Sequence, residues 1–266
     1  MSQIGVRTVL KNAFEVFFQN FGIVLFISVV AGGVGSAVST VAATAFADAV
    51  DMKGQQLLVV TQLFSVLVLT VWSGFVGSWA APAQIYLWVQ REKGKPASLY
   101  EAINFGLNRF GRVFGAHFKA YAIIAAGNIV IVPGVLFGLM FSFVDAIATL
   151  DVQEKSPLAR SQRLTSGRRG TIFRTMAVFL VWWIPYQLLI VFLAQSTNLL
   201  YASLSGIVDH MVLILIDLCM VQIYLDLFRK KNAPAEPPPV EQSGTADPAA
   251  GAYEPLPIKG SDETVG

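Results

Sequence analysis

Long apolar segments separated by short polar ones make up most of the first 231 residues. Most of these segments approach the roughly 20 residues that a helix needs to cross the hydrocarbon core of a bilayer. The pattern predicts an all-α fold, a polytopic membrane helix bundle of six transmembrane helices. The predicted spans cover about residues 21–43, 57–89, 113–127, 134–150, 171–193 and 206–227.

Three further segments have apolar residues at helical spacing and polar residues on the opposite face. They are residues 1–20, 98–110 and 156–167. Amphipathic helices of this kind lie in the membrane interface. In the second, Ser98 and Glu101 have the spacing of a capping box. We therefore expect three interfacial helices, each leading into a span.

Small residues cluster in the first two spans. Small residues at intervals of four allow two helices to approach closely in lipid, so we expect these two spans to pack against each other. The residues are Gly32, Gly33, Ser36 and Ala37 in the first span and Ser73, Gly74, Gly77 and Ser78 in the second.

The first span also has some features of a secretory signal. Residues 43–45 and 45–47 both read Ala-x-Ala, which is typical of a cleavage site. The preceding segment is long, amphipathic and contains Glu15, and the apolar run exceeds the 7–15 residues of a signal peptide. We expect the first span to be retained.

Composition and charge agree with a membrane protein. Apolar residues make up 55% of the chain and charged residues 14%, against roughly 25% charged in a typical soluble domain. A net charge of +2 gives no indication of nucleic-acid binding. Every one of the 19 Lys and Arg residues except Lys53 falls on or near one side of the six-span arrangement. Because basic loops stay in the cytoplasm, both ends are expected there.

The chain changes character after residue 231. Residues 232–266 are rich in Pro, Ala, Gly, Glu and Asp and poor in apolar residues. Such a segment cannot bury enough surface to offset the entropy of ordering. The predicted organisation is a membrane domain over residues 1–231 and a disordered cytoplasmic tail over residues 232–266.

No motif for catalysis, metal or cofactor binding is present. The sequence has no phosphate loop, zinc-ligand spacing or hydrolase elbow. The single cysteine, Cys219, lies in an apolar run. His117 and His210 are far apart in sequence and are expected near opposite membrane faces, which argues against a shared metal site. The sequence therefore predicts a non-enzymatic protein.

Arginines beside the fifth span are candidates for binding anionic lipid. Clustered charges next to a span attract such lipids by on the order of 1 kcal/mol each. The alternative is topology determination with snorkelling side chains. For the nearby carboxylates Asp151 and Glu154, local pairing with Arg160 and Arg163 is the alternative to a catalytic role. The candidate lipid-binding residues are Arg160, Arg163, Arg168, Arg169 and Arg174.

Three charged residues fall inside predicted spans, where such groups usually face the bundle and pair. Lys119 and Asp145 lie at similar depth on consecutive antiparallel spans, so we predict a contact between them. Snorkelling of Lys119 is the alternative. Asp217 lies near the middle of the sixth span, and Tyr186 or Gln187 of the fifth could hydrogen-bond to it.

Two stretches resemble a known family. Leu158-Ala-Arg-Ser161 with Leu164 and Gly167 follows a Pro-Gly span and an acidic residue, and residues 223–229 read Ile-Tyr-Leu-Asp-Leu-Phe-Arg. This arrangement resembles the bacterial six-span membrane domain found fused to glycerophosphodiester phosphodiesterases and in uncharacterised inner-membrane relatives. The resemblance covers about residues 1–231 and implies a bacterial inner-membrane location. It does not imply phosphodiesterase chemistry, because the catalytic barrel is missing.

Three functions remain open at this point. The first is a non-enzymatic scaffold that supports membrane or envelope assembly through packing and lipid contacts. The second is a transporter or carrier of a lipid or hydrophobic solute, which would need an internal polar cavity or a broken helix at mid-membrane. The third is a membrane-embedded lipid enzyme. A polar cavity inside the bundle is the observation that best separates them.

Overall fold

The computed structural model describes residues 5–50, 55–128, 132–193 and 199–232. These residues form helices and no strand. A π-helical turn, Val29–Val34, joins α2 to α3. The helices are α1 Val6–Gln19, α2 Phe21–Ser28, α3 Gly35–Ala49, α4 Gln55–Glu92, α5 Leu99–Asn128, α6 Val132–Phe141, α7 Val144–Leu150, α8 Pro157–Ser166, α9 Arg169–Leu193 and α10 Leu199–Asn232.

The all-helical, membrane-type architecture is confirmed. Among the described residues, four segments are long and apolar enough to cross a membrane. They are Phe21–Ala49, Val59–Glu92, Pro133–Leu150 and Leu199–Phe228. The predicted tail, apart from Asn232 at the end of α10, lies outside the described residues.

Helix α10 is the centre of the bundle. It contacts α1, α2, the π-helical turn, α3, α4 and α9. Ile214, Leu218 and Tyr224 on α10 are almost fully buried. Burying apolar side chains of this size contributes about 1.5–3 kcal/mol each in water, whereas in lipid the gain comes from close packing instead. The position of α10 therefore depends on how closely its neighbours can approach.

The closest approach is a glycine pair. A Cβ atom at Gly32 would lie 2.0 Å from the carbonyl oxygen of Gly206. A Cβ atom at Gly206 would lie 2.4 Å from the carbonyl oxygen of Gly32 and 2.2 Å from Ser36 Oγ. Neither distance is possible for real atoms, so the crossing of the π-helical turn and α10 requires glycine on both sides.

The prediction that the first two spans pack together is correct, but most of the glycines contact other helices. Ser39 Oγ lies 2.7 Å from Ser65 Oγ, and Trp72 Nε1 donates to the Ala31 carbonyl at 3.0 Å, so α4 contacts the first span. Gly32 and Gly33 instead face α10, and Gly74 and Gly77 face α5. Of the glycines in the first span, only Gly35 meets the second span, through Trp72.

The predicted boundary between an interfacial helix and the third span is absent. Helix α5 runs without interruption from Leu99 to Asn128. Gly111 lies at the predicted boundary, but a glycine costs only about 1 kcal/mol in a helix interior. Packing of α5 along α4 supports the helix across this position. The Glu101 carboxylate accepts a hydrogen bond from Tyr86 Oη on α4, so this side chain ties α5 to α4.

The fourth span is broken. Helices α6 and α7 are separated by a turn at Ser142 and Phe143. Helix α8 stabilises the break through Ser161. The Oγ atom of this residue donates to the Met140 carbonyl at 2.8 Å and accepts from the Phe143 backbone N–H at 3.2 Å. A break inside an apolar span needs such replacement partners for its backbone groups.

Helix α1 packs into the bundle. Its predicted apolar face is confirmed in part, because Phe14 and Phe18 are 39% and 65% exposed. The buried residues of the helix are Val9, Ala13, Val16 and Phe17, and it contacts α9 and α10. Arg91 at the end of α4 holds it in place, since its guanidinium contacts Glu15 Oε2 at 2.6 Å and the Asn12 carbonyl at 3.1 Å. Other helices of the bundle therefore cover only part of the apolar face of α1.

Candidate functional site

A cavity of about 300 Å³ lies between α4, α5, the α6–α7 break and α10. Helices α4, α5 and α10 each line the cavity with one face, since their lining residues recur at intervals of three, four or seven positions. The wall contains small apolar residues and a set of polar ones. The polar lining residues are Ser73, Gln84, His117, Tyr121, Ser142, Asp145, His210 and Asp217.

The centre of the site is a hydrogen-bonded pair between α5 and α7. His117 Nδ1 lies 2.9 Å from both carboxylate oxygens of Asp145. Gly77 on α4 makes room for the imidazole, because a Cβ atom there would lie 2.6 Å from His117 Nε2. Asp145 itself lies in the first turn of α7, directly after the break.

The predicted Lys119–Asp145 contact is wrong. The residue that meets Asp145 is His117, only two positions from Lys119. An α-helix turns about 200° over two residues, so Lys119 points away from His117 and is exposed. Its exposure agrees with the alternative of a snorkelling lysine.

Asp217 lies deep in the bundle on the cavity face of α10. Helices surround it, yet its side chain keeps accessible surface because it faces the cavity. It makes no hydrogen bond or ion pair with another described residue. The predicted bond from Tyr186 is not formed, because Tyr186 is near Asp209, about two turns earlier on α10. The Gln187 side chain lies outside the described part of the chain.

Two more polar groups face the same cavity. Gln84 is 2% exposed, and its Oε1 has no hydrogen-bond partner within the described residues. His210 Nε2 is likewise unpartnered there. Expecting the two histidines near opposite faces was wrong: His210 and His117 line one cavity. His210 lies two turns, about 10 Å, before Asp217 on the same face of α10.

The cavity contains no evident metal site. Within the described ranges, no group of three or more His, Cys, Asp or Glu side chains is arranged to hold a metal ion. What the arrangement offers is two carboxylates and two imidazoles that can accept hydrogen bonds or exchange protons. These groups are held on three different elements, so their positions depend on the packing of α5, α7 and α10.

The arginines around the connection between α7 and α8 mostly make structural contacts. The Arg160 guanidinium pairs with the Asp151 carboxylate and lies 3.2 Å from Glu154 Oε2. Arg112 donates to the Asp151 carbonyl. The Ser156 backbone N–H and the Arg160 guanidinium hold the pKa of Glu154 below its ordinary value. These contacts fix the connection between α7 and α8 and support the local-pairing alternative for Arg160.

The other candidate lipid-binding arginines are differently placed. Arg163, Arg169 and Arg174 are exposed, and Arg168 is half-buried. Arg174 Nε donates to the Gly170 carbonyl at 3.1 Å within its own helix. These four side chains remain available for headgroup contacts, whereas Arg160 is occupied by its acidic partners.

The cavity joins residues that the sequence singled out with residues that it did not. Asp145 and Asp217 were marked as charges in a span and do line the site. His117, His210 and Gln84 were not recognised as site residues, although a polar side chain within an apolar run was a signal for each. Comparison with protein-family models, with curated proteins and with solved structures finds no match for this chain.

Proposed function

We propose that this protein is a carrier that binds a solute inside its helix bundle. The observation that supports this most directly is the cavity, which Asp217, Gln84 and His210 line. Among the described residues, Gln84 Oε1 and His210 Nε2 have no hydrogen-bond partner, and Asp217 makes no hydrogen bond or ion pair. Leaving such groups unsatisfied in a bundle costs about 1–3 kcal/mol each. A protein that needed only a packed scaffold would gain stability from apolar residues at these positions.

The break between α6 and α7 supports the same function. Secondary transporters commonly place discontinuous helices at their binding sites, where freed backbone groups and charged side chains meet the solute. Here Ser142 at the break and Asp145 just after it both line the cavity. Helix α8 holds this break in place, because Ser161 bonds to Met140 near the end of α6 and to Phe143 in the turn.

The proposal includes a six-span topology in the bacterial inner membrane, with both termini in the cytoplasm. The basic bias of the sequence and the resemblance to the bacterial six-span domain support it. Helix α5, with 30 residues, is about 45 Å long, and α9, with 25 residues, is about 38 Å long. Both lengths exceed the roughly 30 Å of a hydrocarbon core.

Topology reporters provide a direct test. Fusions of a reporter active only outside the cytoplasm should give a signal at Asp51, Pro133 and Ser203. A fusion at Ser156 should be silent, because the adjacent arginines favour the cytoplasm. An external signal at Ser156 would contradict the six-span arrangement.

Access to the cavity can be measured with a thiol reporter. In a Cys219→Ala background, Ser142→Cys should react with the neutral reagent methyl methanethiosulfonate at least about tenfold faster than Ser78→Cys. Ser142 lines the cavity, whereas Ser78 is fully buried and donates to the Gly74 carbonyl. The adduct is quantified by intact mass in detergent or nanodiscs. Equal, slow labelling of both variants in folded protein would refute the carrier proposal.

A non-enzymatic scaffold that contacts anionic lipid is the second candidate. The exposed side chains of Arg163, Arg169 and Arg174 favour it, since basic clusters beside a span attract negatively charged headgroups. Its partners would be membrane lipids, without cofactor or nucleic acid. If the cavity proved closed to small reagents, this function would be the one that the remaining observations support.

A further inference from the structure

We infer that the solute is a small organic cation, of the kind represented by an ammonium ion. This inference rests on the proposed function, because it assigns a substrate class to the same cavity. The juxtaposition that carries it is the group formed by Asp217, Gln84 and the Asp145–His117 pair around one open space.

The unsatisfied groups of the cavity point to a ligand that donates hydrogen bonds or carries positive charge. The Asp217 carboxylate can only accept when ionised, and the free atom of the Gln84 amide is its oxygen. Gln84 is 2% exposed, so its orientation is fixed by the surrounding helices. His210 Nε2 accepts or donates according to its tautomer. Two acceptors are therefore aimed at the same space.

The charge balance of the wall favours a cation. Two carboxylates line the cavity, and no lysine or arginine is among the lining residues that the structure describes. The Asp145 carboxylate has His117 Nδ1 at 2.9 Å, and Asp217 forms no ion pair with a described residue, so two carboxylates share one nearby imidazole. In a low-dielectric bundle an uncompensated carboxylate is costly, so a bound cation gains from pairing with it.

The remaining wall suits an organic ion. Small apolar side chains create the space, and the aromatic rings of Tyr121 and Phe141 face it. Aromatic faces attract alkylammonium groups. A volume of about 300 Å³ is at the lower end for a small-molecule site. A divalent metal is disfavoured, since the described residues offer no set of three suitable ligands.

The charge preference of the cavity can be measured with the Ser142→Cys reporter. The cationic 2-(trimethylammonium)ethyl and the anionic 2-sulfonatoethyl methanethiosulfonates are compared, each normalised to its rate with a free thiol. Ser142 lies close to the unpaired carboxylate, because it lines one small part of the cavity together with Asp145 and Asp217. We expect the cation to react about tenfold faster than the anion, as attraction to a nearby charge in a partly shielded site would produce.

The dependence on Asp217 is tested in the same assay. Asp217→Asn should bring the ratio of cation to anion close to one, and Asp217→Glu should restore it. Asp209→Asn is the matched control, because it removes the same charge from the same helix at a residue that pairs with Trp183 Nε1 at 3.1 Å and does not line the cavity. That control should keep the preference.

Competition links the preference to binding. Tetramethylammonium should slow labelling of Ser142→Cys by the neutral methyl reagent severalfold, and methanesulfonate should not. Equal rates for the two charged reagents, or no protection by tetramethylammonium, would overturn the cation inference. The carrier proposal would still stand in that case if the neutral reagent labelled Ser142→Cys rapidly. If none of the reagents labelled the cysteine in folded protein, the cavity would be inaccessible and both proposals would be refuted.

Discussion

Replacing Gly206 by alanine should severely destabilise the protein, although the substitution adds a single methyl group. That Cβ atom would lie 2.4 Å from the Gly32 carbonyl oxygen, a backbone atom that cannot move without displacing the π-helical turn. We expect a loss of roughly 3 kcal/mol, the upper part of the usual range for overpacking, because α10 must move away from the first span. Thermal unfolding in detergent measures the effect.

The same substitution at Gly115 is the control. No atom lies within 4 Å of a Cβ built there, and Gly115 is in the interior of α5. Alanine favours a helix by up to about 1 kcal/mol relative to glycine, so the control should be neutral or stabilising. Equal effects of Gly206→Ala and Gly115→Ala would contradict the close crossing of α10 with the first span.

Loss of the His117–Asp145 pair should produce the second large effect. Asp145→Ala removes the carboxylate from a half-buried position and leaves the imidazole without its partner, and we expect a loss of about 2 kcal/mol in the free energy of unfolding. The figure is below the 3–5 kcal/mol of a fully buried pair, since the side chains of His117 and Asp145 are 16% and 30% exposed.

A double-mutant cycle identifies the partner of Asp145. His117→Ala and Asp145→Ala together should cost at least about 1 kcal/mol less than the sum of the single changes, as residues in contact do. Lys119→Ala should combine additively with Asp145→Ala, to within about 0.5 kcal/mol, because Lys119 points away. Coupling to Lys119 instead of His117 would restore the prediction made from sequence.

The position of most helices followed from the sequence. The apolar runs correctly predicted the second span, which α4 covers from Gln55 to Glu92, and the amphipathic pattern of residues 156–167 correctly predicted the helix Pro157–Ser166. These features depend on local chemistry alone. Proline at a first helical position and a run of apolar residues have the same effect in any bundle.

Interruptions within the spans were not predictable in the same way. The sequence gives little warning of the turn at Ser142 and Phe143, because both residues are compatible with a continuous helix. The break is stable because Ser161, on another helix, bonds to the Met140 carbonyl near the end of α6 and to the Phe143 backbone N–H in the turn. Likewise, the π-helical turn at Val29–Val34 accompanies the glycine crossing with α10. Contacts distant in sequence decided both.

The candidate site shows the division between sequence and structure most clearly. The sequence determined that this is an all-helical membrane-type protein and that Asp145 and Asp217 lie within apolar runs, because run length and charge can be read residue by residue. Only the tertiary structure decided that His117 meets Asp145 and that His210 shares its cavity. A helix rotates by about 100° per residue, and a lipid-facing side and a helix-facing side are both apolar in a membrane. Depth is therefore encoded locally, whereas facing direction is set by packing.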